Sequence, residues 1–221
     1  MAFSPYTLLF DIDGTLIDSA PGILRSVQYS LEQMGREVPE AAALTCFIGP
    51  PLVDSYQNYC GMTEADAHRA TALYRERYHD VGVHEAAPYA GVPALLEDLK
   101  TAGFFLAVAT SKPQALAERF LALHGLAAYF SVICGAVDGV RMHKPEILAY
   151  LLPLLPAGGQ DAVMIGDRRY DIEGAKRAGL RSVGVRYGFS DPGELEAAGA
   201  DWVVDTVGEL RRLLLETEAD A

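Results

Sequence analysis

Six short apolar runs punctuate the chain, at residues 7–10, 104–109, 132–134, 162–165, 182–185 and 202–204. Each is continuous rather than alternating, which is how strands buried on both faces of a parallel sheet read. Helical patterns separate the later runs. Segment 113–124 ends at Gly125, 172–178 at Gly179 and 192–198 at Gly199, and each glycine suits a left-handed helix end. Strand and helix in alternation predict an α/β fold built on a doubly wound, Rossmann-like parallel sheet. Residues 17–87 break the rhythm, with helix patterns and no strand-like run. Pro21 can open a helix that lines Ile23, Val27, Leu31 and Met34 along one stripe before Gly35. Segment 63–79 is a second amphipathic candidate, with Ala67, Ala70, Leu73 and Arg77 on one side. The pattern therefore predicts a core domain from 1–16 and 88–221. A helical cap domain, 17–87, is inserted after the first strand as a lid over the sheet's active edge.

The polar residues that follow the apolar runs carry the candidate chemistry, because ligands of open α/β sheets bind beyond the carboxyl ends of the strands. The first run ends in Asp11-Ile12-Asp13-Gly14-Thr15. Side chains two apart on a strand start on one face, so Asp11 and Asp13 are expected to converge. Two carboxylates at one point repel unless a cation lies between them, and hard divalent cations favour such oxygens. Thr110 and Ser111 follow the second run, Asp167 the strand ending at Ile165, with Asp171 beyond it. Lys144 stands in a His-Lys-Pro turn ahead of another helix. Acids, a hydroxyl and a lysine together suit phosphoryl transfer: lysine and metal neutralise phosphate, the hydroxyl binds it, and a carboxylate attacks in line. Plainer readings exist for single residues. Asp171 could cap a helix starting near Ile172, Ser111 could cap the helix after it, and Arg168 and Arg169 read as solvated or salt-bridged.

Charge and cysteine content narrow the partners. Lys and Arg number 18 against 30 Asp and Glu, a net charge of −12. That argues against nucleic acid and requires local positive charge to capture an anion. Cys46, Cys60 and Cys134 are few and scattered, as expected of reduced thiols rather than a disulfide framework or zinc site. Residues 1–6 show no basic start or leader-like run and no stretch reaches spanning length, so a cytoplasmic protein without membrane attachment is expected.

Taken together, Asp11-Ile12-Asp13-Gly14-Thr15, Ala109-Thr110-Ser111, Lys144-Pro145 and the segment from Gly166 to Asp171 resemble, in order, the four motifs of the haloacid dehalogenase superfamily of phosphatases. The resemblance implies Asp11 as nucleophile, Asp13 as general acid and base, and Thr110 and Lys144 at the phosphate, with Ser111 as a further contact. It implies Mg²⁺ held by Asp11, the backbone carbonyl of Asp13 and Asp167, with Asp171 as an outer ligand or support. It further implies a small phosphorylated metabolite as substrate and a monomer or weak dimer. Phe47-Ile48-Gly49-Pro50-Pro51-Leu52 and Gly184-Val185-Arg186-Tyr187-Gly188 look most like the phosphoglycolate-phosphatase-like group, especially its 5′-nucleotidase-like branch. Cap residues such as Phe47 and Gly49, and less so Arg25, Tyr56 and Asn58, would then choose the leaving group. A turn between cap helices explains Phe47 to Leu52 equally well. A phospho-acceptor signalling domain also uses acids, a hydroxyl and a lysine on a doubly wound sheet, but it would be shorter and lack the helical insertion.

Overall fold

The run 7–10 becomes the middle of a sheet because Leu8, Leu9 and Phe10 are large and apolar, and all three are wholly buried. In a computed structural model, which describes residues 6–216, the elements run β1 (Thr7–Phe10), β2 (Ile17–Asp18), α1 (Ala20–Gln33), α2 (Leu52–Cys60), α3 (Glu64–Asp80), β3 (Ala87–Pro88), α4 (Val92–Thr101) and β4 (Phe105–Pro113). They continue with α5 (Gln114–Leu123), β5 (Val132–Ala136), α6 (Lys144–Leu151), β6 (Val163–Gly166), α7 (Arg169–Arg177), β7 (Arg181–Val185), α8 (Glu194–Ala198), β8 (Trp202–Val204) and α9 (Val207–Leu215). Residues 1–5, on which most of the no-leader expectation falls, lie outside the described set. Among the described residues no helix is long and apolar enough to cross a membrane.

The chain divides into two compact units, Met1–Leu16 with Pro88–Ala221, and Ile17–Ala87. The first carries a six-stranded sheet in the order β5-β4-β1-β6-β7-β8, parallel throughout. The strands β4 and β6 flank β1 on opposite sides, so connections leave the sheet centre in both directions, as in a doubly wound fold. In register, Phe10 is level with Val108 on one neighbour and Ile165 on the other, and a one-residue slip would turn every side chain of β1 to the opposite, differently packed face. Against one face, α6 and α7 supply Ile147, Leu148, Leu151 and Ala175 to a core shared with Leu9, Ala107, Ala109 and Met164.

In the second unit, α1 packs at Gly22 against the turn at Gly82 that follows α3. A Cβ on Gly22 would lie 2.1 Å from the Gly82 carbonyl oxygen, so only glycine admits that approach. Ile23, Val27 and Leu31 are buried as the stripe predicts, whereas α3 buries Ala67, Ala70, Thr71, Tyr74 and Tyr78 rather than Leu73 and Arg77. Arg77 is occupied by polar work instead. It donates to both Glu85 carboxylate oxygens at 2.9 and 3.1 Å and to Ser26 Oγ at 3.1 Å, while Arg25 reaches Glu85 at 2.9 Å. Tyr56 is fully buried with its hydroxyl against Ser30, and Phe47 packs edge-on against Tyr56. Both rings therefore serve packing.

Several expected boundaries shift. The absence of strand from 17–87 is corrected by β2 and β3, two residues each, which pair with each other where the chain passes between units. They are too short to carry an apolar pattern. Helix α7 begins at Arg169 rather than Ile172, and Pro113, not Ser111, precedes α5. Gly125, Gly179 and Gly199 do adopt positive φ after their helices. None of the three cysteines forms a disulfide.

Phe10 is wholly buried, with its ring edge-on to Phe130 at 6.1 Å between centroids. Phe10→Ala is expected to cost about 3–5 kcal/mol, read as a lower denaturant midpoint with an unchanged slope.

Candidate active site

The central strands β1 and β6 end within a residue of each other and deliver Asp11 and Asp167 just past their last residues. The neighbouring β4 runs on and carries Thr110 one residue after Ala109, where its pairing with β5 shifts register. The Asp11 amide donates to the Ile165 carbonyl at 3.0 Å, which extends β1 toward β6 by one residue and fixes the direction of the aspartate. Beyond β6, Asp167 is fully buried, with Oδ1 accepting from Thr15 Oγ1 at 3.1 Å and Oδ2 from the Phe189 amide at 2.8 Å. Gly14 makes the approach possible. Its φ of +80° suits glycine, and a Cβ there would sit 2.0 Å from Asp167 Oδ2. Asp171 is the third residue of α7, where Oδ2 accepts from the Arg168 amide at 3.1 Å. The expected capping role thus holds in kind but from inside the first turn. Carboxylate oxygens of Asp11, Asp167 and Asp171 all lie within 4.8 Å of one another, and all three residues are buried.

Lys144 answers this charge. Pro145 follows it in the first turn of α6, whose fixed φ suits a helix start. Glu146 anchors the turn by accepting from the Met142 and His143 amides at 2.6 and 3.2 Å. The Lys144 stem crosses α7 at Gly174, where a Cβ would come within 2.7 Å of its Cγ. Its Nζ donates to the Ala109 carbonyl at 2.8 Å and lies 2.6 Å from Asp171 Oδ1 and 3.3 Å from Asp11 Oδ1. Burial alone would push this ammonium down, but Asp11 and Asp171 outweigh it and hold its pKa above the usual lysine value. Burial pushes the Asp171 carboxyl up, with Lys144 pulling against it, and leaves it at about 6. Asp167 is raised well above the carboxylate range by burial, then by Asp171 and Asp11.

One lysine does not satisfy three acids. Among the described residues, Asp11 Oδ1 and Asp171 Oδ1 are buried and accept no directed hydrogen bond, although Lys144 is near both. Buried oxygens with spare lone pairs, clustered to 4.8 Å, are the donor set a hard divalent cation takes. The residues present fit such an ion.

Asp13 departs from the simple strand argument. It is not part of the three-acid cluster; both its oxygens take the ammonium of Lys112, at 3.0 and 2.8 Å. Beside the pair stand two different lysines, Lys112 on Asp13 and Lys144 on Asp11, the latter shared with Asp171. Thr110 is buried, and its Oγ1 accepts from the Lys112 amide at 3.2 Å, which leaves its own proton to donate. Ser111, between them, is half-buried. Phe47 and Gly49 belong to the other unit. Arg168 pairs with Glu194 at 3.0 Å, and the same carboxylate accepts from the Arg169 amide at 2.8 Å, so Arg168 braces the start of α7, as its salt-bridged reading expects. Sequence reasoning missed Lys112, although it stands two residues from Thr110, the spacing that singled out Asp11 and Asp13. It also missed the Phe189 amide, which no local pattern marks.

Comparison with known proteins adds to this geometry. The family model for haloacid dehalogenase-like hydrolases matches residues 8–185. A 5′-nucleotidase of Pseudomonas aeruginosa is 40% identical over 94% of each chain. A protein named tyrosine-protein kinase PtkA, from Mycobacterium tuberculosis, is 38% identical over 96% of this chain and 73% of that one. A phosphoglycolate phosphatase of Cupriavidus necator is 35% identical over 94% of this chain and 92% of its own. The crystal structure of a predicted phosphatase from Clostridium acetobutylicum superposes with a TM-score of 0.90 at 42% identity, covering 94% of this chain and 97% of that one.

The raised Asp167 carboxyl carries a stability prediction. A group whose folded pKa is raised contributes stability that is full below its unfolded value, about 4, and lost as pH rises through the folded value. In chelated protein, Asp167→Asn is expected to match or exceed the wild type in thermal midpoint at pH 8, with the gap closing as pH falls toward 4, while activity is lost. A variant less stable than wild type at pH 8, with no pH trend, would show that the cluster carries no such strain.

Proposed function

Because the chain belongs to the haloacid dehalogenase-like hydrolases and is a phosphatase like its relatives, we propose that it hydrolyses a small organic phosphate monoester by way of a phosphoryl group on Asp11. The observation that carries this reading is the separation of two aspartates by two lysines, Asp11 beside Lys144 and Asp13 on Lys112. It gives one carboxylate to attack and a second, outside the acid cluster, to move protons.

In this scheme Lys144 and the Thr110 hydroxyl bind the phosphate and lower its repulsion from the acids. An Asp11 oxygen attacks phosphorus in line as the bond to the leaving oxygen breaks, and Asp13 gives that oxygen its proton. Asp13, now a carboxylate, takes a proton from water. The water attacks the phosphorus of the acyl phosphate, releasing inorganic phosphate and restoring Asp11. Asp11, Asp167 and the Asp13 carbonyl, with Asp171 in support, would hold Mg²⁺, which when bound would supply the positive charge that lets a carboxylate meet a phosphate dianion.

The substrate class proposed is a nucleoside 5′-monophosphate, on the strength of the 40% identical relative, with phosphoglycolate as the second reading. The kinase-named relative favours one further test, since an acyl phosphate can pass its phosphoryl group to a tyrosine hydroxyl instead of water. The expected site of action is cytoplasmic, the physical partner a small metabolite, and the chain a monomer or weak dimer.

Assayed with Mg²⁺ on phosphorylated metabolites, the protein is expected to favour nucleotides and to lose all turnover on exhaustive chelation. A phosphotyrosyl product, or equal rates on a phosphoprotein, would redirect the substrate reading. Asp11→Asn is expected to abolish turnover and phosphoenzyme. Asp13→Asn is expected to lose proton transfer, roughly 10²–10⁴ in rate, yet accumulate a phosphoryl mass on Asp11 with p-nitrophenyl phosphate in acid-quenched protein. A label on another residue would overturn the nucleophile.

A further inference from the structure

We propose that Lys112 is a positioning residue that holds the Asp13 carboxylate where proton transfer requires it; the inference rests on Asp13 being the acid and base of the proposed reaction. The ammonium bridges both Asp13 oxygens, at 3.0 and 2.8 Å, so it restrains the rotation of the carboxylate plane as well as its distance. The two residues are 99 apart in sequence and meet only because β1 and β4 are neighbours. The Lys112 side chain is 4% exposed against 15% for Asp13, so the charge is desolvated and water competes poorly for it.

Its own position is fixed from two further directions. The backbone is held by its amide, which donates to Thr110 Oγ1. The head is held by the Phe120 ring of α5, with Nζ 4.6 Å from the ring centroid, within cation–π range. A lysine so pinned acts as a fixed strut between a helix and a catalytic carboxylate. The strut also has something to resist. Three buried acids stand at the same strand ends, and a carboxylate on the loop after β1 relaxes away from them toward water unless a cation holds it. Misplacing a reacting group by an ångström costs about 10²-fold, so the restraint bears directly on rate. Lys112 keeps its protons throughout: the transferred proton leaves Asp13 for the leaving oxygen and returns from water.

The experiment measures kcat/KM for wild type, Asp13→Asn, Lys112→Met, Lys112→Arg and the Asp13→Asn/Lys112→Met double variant on phenyl phosphates graded from p-nitrophenyl to unsubstituted phenyl. Loss of a placed acid steepens the dependence on the leaving group, because nitrophenolate needs no proton and phenolate does. Lys112→Met is expected to lose about 10²-fold on phenyl phosphate and far less on p-nitrophenyl phosphate. It is expected to accumulate phosphoenzyme and to keep the wild-type inhibition by inorganic phosphate. Lys112→Arg is expected to restore the shallow dependence. In the double variant the losses are expected not to add, because both changes remove one coupled function. Should Lys112→Met fail to fold, Lys112→Gln against Lys112→Arg carries the same comparison. An equal loss on every leaving group with weakened phosphate inhibition would place Lys112 on the phosphate itself and overturn the proposal, as would additive losses. If Asp13→Asn shows no steeper dependence, the acid–base reading falls and takes this one with it. If it does and Lys112→Met does not, only the present proposal fails.

Discussion

Three carboxylates whose oxygens lie within 4.8 Å of one another, all buried, must be held together against their own repulsion. At an effective dielectric near 20, each pair of unit charges at this distance costs on the order of 3 kcal/mol, comparable to a sizeable part of a domain's stability. Lys144 offsets part of it through contacts with Asp11 and Asp171, while burial first, and the neighbouring acids after it, push the carboxyls of Asp167 and Asp171 up. Much of the surrounding architecture is arranged to keep this group in place. The glycine in α7 that costs the helix about 1 kcal/mol relative to alanine is where the Lys144 stem passes. Gly14 gives up side-chain packing so that Asp167 can approach the turn after β1.

The loop after β7 closes the arrangement. Its Phe189 amide binds Asp167, and the Tyr187 hydroxyl donates to the Thr15 carbonyl at 3.0 Å while its ring meets Tyr89 edge-on. One short segment therefore ties the acid beyond β6 to the turn after β1, and to the residue just past the return of the chain to the sheet-bearing unit. Strand order supplies the proximity, since β4, β1 and β6 are adjacent, and hydrogen bonds supply the precision. The division of labour between Lys144 and Lys112 follows from the same topology, because each lysine reaches its aspartate from a different element.

The elements that were legible in the sequence are those whose physics is local. Continuous apolar runs located all six strands of the sheet, and positive-φ glycines marked helix ends, because burial on two faces and a left-handed cap each leave a residue-level signature. The polar residues that follow the strands were legible for the same reason. Asp11, Thr110 and Asp167 come at or just after the sheet pairing of β1, β4 and β6, and Lys144 and Asp171 stand in the first turns of α6 and α7. What was not legible depends on distance in sequence. The partner of Asp13 lies 99 residues away, and strand alternation, which says that two side chains share a face, cannot say that a third will intervene. The buried face of α3 was misread because Arg77 has helical spacing with the apolar residues yet finds Glu85 beyond the helix end and Ser26 on α1. β2 and β3 carry no pattern at two residues each.

The central claim is that the acid cluster exists for a divalent cation. It is tested most directly by calorimetric titration of Mg²⁺ into chelated protein, wild type against Asp167→Asn. The account predicts one saturable site per chain that the substitution abolishes, with a thermal midpoint that rises with Mg²⁺ in the wild type alone. Absence of binding by the wild type, or equal binding by the variant, would contradict it.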